Sequence, residues 1–471
     1  MTRLGTSEAR TLELLARDLS SDTTVEELLA ETGARRHLDL SDLTPEEQAA
    51  LIAGRTVGVL PSQDALSSAI GAARAEGRPL RVKLGIDPTS SDVHLGHTVP
   101  MIILSRFQRM GHDIVLIVGD ITAKIGDPSG RSDERPPLTD EDIANNLATY
   151  RDQVSPFFDF ERAEFRRNSE WLADIRLPEL IGVLSRIPVS MSLQREDFRT
   201  RLAQGHGLAM SEFIYAVVMA IDSEKIHADI ELGGVDQLLN MQMGRKVMEN
   251  AGRKPQLVIS VPLIEGTDGS GAKMSKSKGN YIALTATADD VFGKIMSIPD
   301  RLMVSYLKAW TEWTDAEVDA AVARVGNKSL HPMDLKKILA GEAVAAVHGL
   351  EAAMAARRHF TAQFSRRSFG DVESLPVVPA AHADDAVAAV LTQVLEFTAG
   401  TSAARRLAKQ NALRLVVETS EGQKTVPLSE DDVTRPLHEA VKTALAAAGN
   451  TTAADTVYLK AGRKVAKIEG V

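Results

Sequence analysis

Residues 83–97 read KLGIDPTSSDVHLGH. They lead from an apolar run, RVKLGI (81–86), through the turn-rich Asp87-Pro88-Thr89 to His94-Leu95-Gly96-His97, which opens an apolar stretch with helical spacing. The pattern predicts a strand end, a tight turn and a helix start. A backbone-exposing glycine and two imidazoles then stand where a phosphate can approach. Far along the chain, residues 272–280 read AKMSKSKGN and set Lys273, Lys276 and Lys278 in a Gly/Ser-rich loop. That predicts a mobile, positively charged flap suited to a polyphosphate. Alone, a His-x-x-His pair is common and KMSKSKG fits a solvated turn. Their order, with a large α/β segment between them, gives them weight.

Outward from the first stretch, residues 80–86 read as the first parallel strand and 96–110 as the first helix, with Pro100 tolerable near its first turn. DIVLIVGDI (113–121) is apolar through most of its length, as a strand covered on both faces should be. Strand, helix and strand make a βαβ unit of a doubly wound, Rossmann-like α/β fold, with the turn at Asp87 on the ligand side. Residues 124–142 are a loop; Asp127, directly after Gly126, is a seat for a ligand-facing carboxylate. Residues 141–177 read as helical around a short strand at 164–167, and 189–205 and 208–226 as amphipathic helices. On the second of these, Glu212, Tyr215, Met219 and Asp222 share one face. A buried Tyr-Met face is ordinary core; a carboxylate beside it suggests a pocket. Residues 228–249 predict a strand, a glycine turn exposing Asp236 and Gln237, and a helix; 256–266 predict another core strand.

With 471 residues the chain exceeds one core, and two or three domains are expected. Apolar residues at 44% and charged residues at 25% are those of a soluble globular protein. There is no apolar run of about 18 residues to span a bilayer. The start, MTRLGTSEARTLELLARD, has no apolar core and carries early acidic residues, so no export signal is expected and the cytoplasm is the default. The absence of cysteine excludes disulfides, thiolate chemistry and Cys-based zinc sites. A net charge of −10 argues only weakly against nucleic acid, because a local basic patch suffices for contact.

Residues 1–75 read as a largely helical N-terminal extension, with a capping box at Thr44-Pro45 and Glu47, packed on a catalytic domain at 76–285. Residues 286–372 are helical; their Lys336, Lys337, Arg357, Arg358, Arg366 and Arg367 form either a solvated face or an RNA-facing one. ESLPVVPAAHA (373–383) is a linker by composition. Residues 384–471 make a small α/β module with basic residues at Arg405, Arg406, Lys409, Arg414, Lys460, Arg463, Lys464 and Lys467. Two such clusters framing one module suggest RNA backbone contact.

The two opening stretches resemble the ATP-binding motifs of class I aminoacyl-tRNA synthetases. GIDPT, HLGH, GDPSGRSDER, the SEF-Y helix, GG-DQ and KMSKS, in this order, resemble the bacterial tyrosyl-tRNA synthetase family. HPMDLKK and the C-terminal module, which resembles an S4-type RNA-binding domain, extend the likeness over most of the chain. The resemblance implies tyrosine, Mg·ATP and tRNA(Tyr) as partners and a homodimer. By motif position, Thr89, His94 and His97 would meet ATP phosphates, and Lys273 and Lys276 the leaving pyrophosphate. Arg131 and Arg135 would close over the triphosphate. Gly85, Asp87, Gly96, Met274 and Ser275 would surround ATP or the adenylate, and Gly234 and Asp236 would meet the ribose. Asp127, Tyr215 and Gln237 would hold the amino acid's ammonium and carboxylate, with Met219 beside them. Asp222 would face the phenol, since a buried carboxylate needs a hydrogen-bond partner and a substrate hydroxyl supplies one.

The sequence departs from the family pattern at four positions. Met219 stands for a glutamine near the ammonium, Ile221 for an aromatic, Val235 for a small hydroxyl residue, and Lys83 for a tyrosine of one branch. These bear on the amino acid and leave open a paralogue activating another aromatic amino acid or a tyrosine analogue; two further alternatives are a non-catalytic RNA-binding protein and a tRNA-free nucleotidyl transferase. Intact His94, His97, Lys273 and Lys276 count against the RNA-binding protein, and the basic tail against the tRNA-free transferase.

Overall fold

The computed structural model describes residues 2–87, 93–128, 139–362, 375–419, 422–448, 456–462 and 464–469. The chain divides into two compact units, Met1–Met354 and Ala355–Val471, the division falling inside helix Leu350–Phe360.

The first unit is built on a six-stranded sheet: β1 (Gly58–Leu60), β2 (Arg81–Ile86), β3 (Asp113–Val118), β4 (Ala163–Arg167), β5 (Ile230–Gly234) and β6 (Leu257–Val261), in the order β1-β6-β5-β2-β3-β4. β2 to β6 are all parallel, and β1 adds an antiparallel edge on β6. Ile114 to Val118 and all of β6 are buried, as the near-continuous apolar runs require of strands covered on both faces. The chain builds β2, β3 and β4 to one side and then returns to lay β5 against the other side of β2. That reversal opens a crevice at the carboxyl ends of β2 and β5.

Several elements differ from the sequence reading. β1 lies inside the stretch expected to be helical; three residues give no periodic signal. β3 stops at Val118, and a short helix, Thr122–Ile125, follows. The helix expected over 189–205 is two, Val189–Ser192 and Glu196–Ala203, the second restarting on the acidic pair Glu196-Asp197 that suits a helix N-terminus. Lys336 and Lys337 are neither solvated nor RNA-facing. Both are buried: Lys336 donates to Ile298 O (2.7 Å) and Asp300 (2.6 Å), and Lys337 to Asp334 (3.5 Å). Arg357 is buried and Arg358 exposed; Arg366 and Arg367 lie outside the described residues.

Helix Leu95–Arg109, which carries the two imidazoles at its start, is held at both ends by one segment. The Trp310 indole donates to Leu95 O (3.0 Å), while Arg106 and Arg109 at the last turn bind the Glu312 carboxylate at 3.3 and 3.0 Å. Burial works against that carboxylate's charge, but Arg106, Arg109 and Arg36 outweigh it and hold Glu312 at about 2. Next to it, the N-terminal helices Arg3–Ala16 and Asp22–Ala34 lie against Asp315–Gly326 and Pro332–His348. Arg35 makes two bonds to Glu317, at 2.7 and 2.6 Å, and both side chains are no more than 1% exposed. Ser7, Thr11 and the Glu312 carbonyl take its other N–H groups.

The second unit holds a five-stranded sheet of β7 (Val377–Val378), β8 (Leu413–Thr419), β9 (Gly422–Pro427), β10 (Thr456–Ala461) and β11 (Lys464–Ile468), in the order β7-β11-β10-β8-β9. Only β7 and β11 pair in parallel. Its own core includes Val387, Leu391, Leu415, Leu437, Val441 and Leu459. β7 lies within the Pro-rich stretch that reads as a linker, with Val377 and Val378 in register with Lys467 and Ile468. Two valines between prolines are too short a run to announce a strand.

Glu317→Ala would leave the Arg35 guanidinium buried without its counter-charge, a loss of about 3–5 kcal/mol. Urea unfolding of the full chain should show the transition of the Met1–Met354 unit at lower denaturant. An unchanged midpoint would mean that the pair contributes nothing.

Candidate active site

The crevice at the ends of β2 and β5 is a cleft of about 560 Å³. Gly85 and Asp87 from the end of β2, His94, Gly96 and His97 from the next helix start, and Asp127 line it. So do Tyr215, Met219 and Asp222 from helix Met210–Lys225, Gly234, Asp236 and Gln237 after β5, and Lys273, Met274, Ser275 and Lys276 from the lysine loop. The structure therefore gathers these sequence-predicted positions around one cavity. Thr89, Arg131, Arg135 and Arg463 lie outside the described residues.

At one end the chemistry is that of a phosphate site. The rings of His94 and His97 stack at 3.8 Å between centroids. The His94 backbone N–H donates to Nδ1 of His97 (3.2 Å), so the proton of the neutral His97 ring sits on Nε2. Burial, with Lys273 and Lys276 nearby, pulls His97 down to about 4. Burial, then His97 and Lys276, pull His94 to about 3. Both rings are neutral donors at physiological pH, beside lysines that carry the positive charge. The lysine loop is pinned at its base: Met274 N–H donates to Ile264 O (2.7 Å), Ser275 N–H to Asn280 Oδ1 (2.9 Å), and Leu95 N–H to Ile282 O (2.9 Å). Lys273 reaches across to Asp236 at 3.3 Å.

The other end is rich in carboxylates. Tyr215 donates its hydroxyl to Asp87 (2.8 Å), and Thr122 donates to the other Asp87 oxygen (2.8 Å). A Cβ on Gly119 would overlap that carboxylate and the Thr122 hydroxyl, so the turn after β3 accepts only glycine. Burial, with Asp87 and Asp127 near, raises the Tyr215 phenol well above its ordinary range, and it stays a donor. Gly126, at φ 84°, ends the short helix Thr122–Ile125 and turns the chain into Asp127. Gln237 donates to Asp127 (2.7 Å), Asn240 to Gln237 (2.8 Å) and Arg195 to Asn240 (3.0 Å), a relay that fixes the amide's orientation. Glu212, expected on the same helical face, instead binds Arg201 at 2.6 Å and caps Ala209 N–H.

Asp222 is 2% exposed, and its partners differ from those expected of it. Its carboxylate does not depend on a substrate for partners: Trp171 donates an indole N–H (2.9 Å) and Asn168 an amide N–H (3.4 Å). Burial raises it to about 7, opposed by Lys83, Trp171 and Asn168. The sequence reading missed Trp171, Asn168 and Thr122. The first two sit just beyond the carboxyl end of β4, and polar residues at strand ends were the available signal. Of the four departures, only Met219 lines the cleft. Ile221 packs in an apolar cluster with Trp171 and Leu172, and Lys83 is buried against Glu231 at 2.7 Å.

In the C-terminal unit, Arg405, Arg406 and Lys409 are exposed on helix Thr401–Lys409, and Arg414 and Lys464 are exposed on β8 and β11. Gly462 N–H donates to Ala412 O (2.7 Å), bringing the β10–β11 turn to the start of β8. Lys460 and Arg414 are register partners.

The histidine chemistry is directly observable. As pH falls, a ring with a lowered pKa stays neutral past the value of about 6.5 at which an ordinary imidazole protonates. Nitrogen NMR of labelled histidine should find His94 and His97 neutral down to about pH 5. Protonation of either near the ordinary value would overturn the assignment.

The sequence model described as tRNA synthetases class I (W and Y) matches residues 75–365. Tyrosine–tRNA ligase of Thermotoga maritima is 41% identical over 336 residues, 71% of this chain and 82% of that one. The enzyme of the same name from Desulfotalea psychrophila is 39% identical over 381 residues, 81% and 92% of the two chains. Among solved structures, a C-terminally truncated mitochondrial tyrosyl-tRNA synthetase of Aspergillus nidulans superposes with a TM-score of 0.55 at 19% identity, covering 72% of this chain and 99% of that one. Tyrosyl-tRNA synthetase of Archaeoglobus fulgidus, complexed with L-tyrosine, gives a TM-score of 0.52 at 22% identity, over 66% and 99% of the chains. With its switch-point cleft, paired imidazoles and lysine loop, the chain belongs to the class I tRNA synthetases (W and Y), in the tyrosyl-tRNA synthetase family.

Proposed function

We propose that the cleft makes tyrosyl-adenylate from tyrosine and ATP and that the chain then charges tRNA(Tyr). The observation that carries this is the division of one cavity into a carboxylate end (Asp87, Asp127, Asp222) and an imidazole-lysine end (His94, His97, Lys273, Lys276). A substrate with an ammonium and a phenol fits the first, and a triphosphate fits the second. Asp127 accepts from the ammonium, Asp222 accepts from the phenol, and Gln237, locked by Asn240, holds the carboxylate group. A tyrosine carboxylate oxygen attacks the α-phosphorus in line, and the bond to the bridging oxygen breaks to release pyrophosphate. The Nε2–H of His97 and the ammonium groups of Lys273 and Lys276 stabilise the charge that develops there, which is where most of the rate arises. A terminal ribose hydroxyl of tRNA then attacks the acyl carbon, and AMP leaves. Among the described residues no three His, Asp or Glu side chains are grouped to hold a metal. Mg²⁺ enters with ATP, held by phosphates and water.

The basic cluster around helix Thr401–Lys409 and Arg414 supports tRNA backbone contact by the C-terminal unit. Among the described residues no helix is long and apolar enough to cross a membrane. The reading puts the enzyme in the cytoplasm, with ATP and tRNA; cell fractionation tests it. Helix Leu177–Leu184 supports a homodimer, since Leu177 and Ile181, one turn apart, are 68% and 54% exposed.

Two sets of substitutions separate the two half-reactions. Lys276→Ala or His97→Ala should lower ATP–pyrophosphate exchange by about 10- to 1,000-fold with circular dichroism unchanged. Reversing charge at Arg405, Lys409 and Arg414 together should spare exchange and remove most tRNA charging, with a shallower dependence on salt. Exchange at the parent rate in the first pair, or charging at the parent rate in the triple variant, would refute the corresponding assignment. Light scattering should find twice the 50.8 kDa chain mass, falling to one copy with Ile181→Asp; a monomeric parent would exclude the dimer.

A further inference from the structure

Lys83 and Glu231 are register partners on β2 and β5, and their side chains are 0% and 1% exposed. The ammonium spends its three N–H groups on Glu231 Oε1 (2.7 Å), Ser223 Oγ (3.0 Å) and the Met219 carbonyl (3.4 Å). The other Glu231 oxygen accepts from Ser223 (3.2 Å) and from the Gln256 amide. Around them the sheet face is apolar, with Val115, Ile117, Ile226 and Ala228 packed with Trp171. An ion pair in such surroundings is no better for stability than well-packed apolar side chains of the same volume. Stability therefore does not account for it. What it touches does: Met219 and Ser223 flank Asp222 on the same helix.

We infer that Lys83 is a positioning residue for amino-acid selection, its ammonium, bound to Met219 O and Ser223 on either side of Asp222, favouring the charged carboxylate that lines the cleft so that it accepts a hydrogen bond from the substrate's hydroxyl. The inference rests on the reading that a tyrosine phenol lies against Asp222. Trp171 and Asn168 already donate to this carboxylate, and a third donor needs an acceptor there. The other groups facing it are Lys83 from β2, Glu231 from β5, and, two turns back on its own helix, Tyr215, whose proton is committed to Asp87. Burial pushes the Asp222 carboxyl up, Lys83 is foremost among the groups that oppose this, and Glu231 partly cancels Lys83. Without the ammonium, burial would favour the protonated form further, in which one oxygen turns from acceptor to donor.

The test is kcat/KM for tyrosine and phenylalanine in pyrophosphate exchange by the full chain, between about pH 6 and about pH 9. The variants are Lys83→Met, Glu231→Gln, the two combined, and Asp222→Asn. Comparing proteins at each pH cancels the ionisation of the substrates themselves. Lys83→Met should move the acid limb for tyrosine up by about one pH unit or more. Glu231→Gln, which frees the ammonium's field, should move it down, and the double variant should lie between, with the KM for ATP unchanged throughout. Loosened packing would not shift the limb in opposite directions. If Lys83→Met does not fold, Glu231→Gln decides alone: a lowered limb supports the inference and an unmoved one overturns it. Limbs that coincide in all folded variants overturn it while leaving the phenol reading intact, provided Asp222→Asn still erodes the preference for tyrosine. A parent enzyme that uses phenylalanine as well as tyrosine removes that reading, and the inference with it.

Discussion

β2 and β5 lie side by side although the chain visits β3 and β4 between them, and the crevice opened by this reversal is the condition for every contact in the site. Most of the segments that meet there follow the carboxyl end of a parallel strand, and helix Met210–Lys225 adds Tyr215, Met219 and Asp222. The turn after β2 delivers Asp87 and the two imidazoles, the turn after β3 delivers Thr122 and Asp127, and the turn after β5 delivers Asp236 and Gln237. No single segment makes a pocket. The sheet supplies the proximity, and the close approach at Gly119 shows how little space remains once the turns have converged.

Charge in the cleft is sorted by burial as much as by residue type. The imidazoles are kept neutral by desolvation and by the lysines beside them, which leaves Lys273 and Lys276 as the cations and the rings as directional donors. At the opposite end, burial acts on Tyr215 and Asp222 in the same chemical direction, favouring their protonated forms. The protein resists this only at Asp222, where an indole, an amide and an ammonium converge. Two neighbouring groups thus reach different protonation tendencies because only one of them has a buried cation behind it.

Much of this was legible in the sequence, for identifiable reasons. RVKLGI and DIVLIV announce buried strands because they are apolar and short, and the helical spacing of Tyr215, Met219 and Asp222 puts them on one face whatever the rest of the fold. What stayed hidden depends on pairings between distant residues. Nothing local says that Lys83 meets Glu231, that the Trp171 indole turns toward Asp222, or that Lys336 and Lys337 are buried. Short strands were also invisible: β1 and β7 form because an edge is available to them, and their own residues carry too few repeats for a period to show. The departure at Ile221 was visible only against the family motif, and nothing local says that this side chain packs into an apolar cluster beside Trp171 and Leu172.

Helix Leu95–Arg109 is held near its first residue by the Trp310 indole and at its last turn by Glu312, two residues further along the same segment. From Leu95 to Arg106 the helix rises about 16 Å, a span closed only by the reach of the tryptophan, glutamate and arginine side chains. Trp310 and Glu312 therefore act as a gauge for the helix between them. Inserting or deleting one residue there would swing Arg106 by about 100° around the axis, off the Glu312 carboxylate and toward either solvent or the sheet. The number of residues between the imidazoles and Arg106 is fixed as tightly as the identity of the imidazoles, although none of those intervening positions needs to touch a substrate for this to hold.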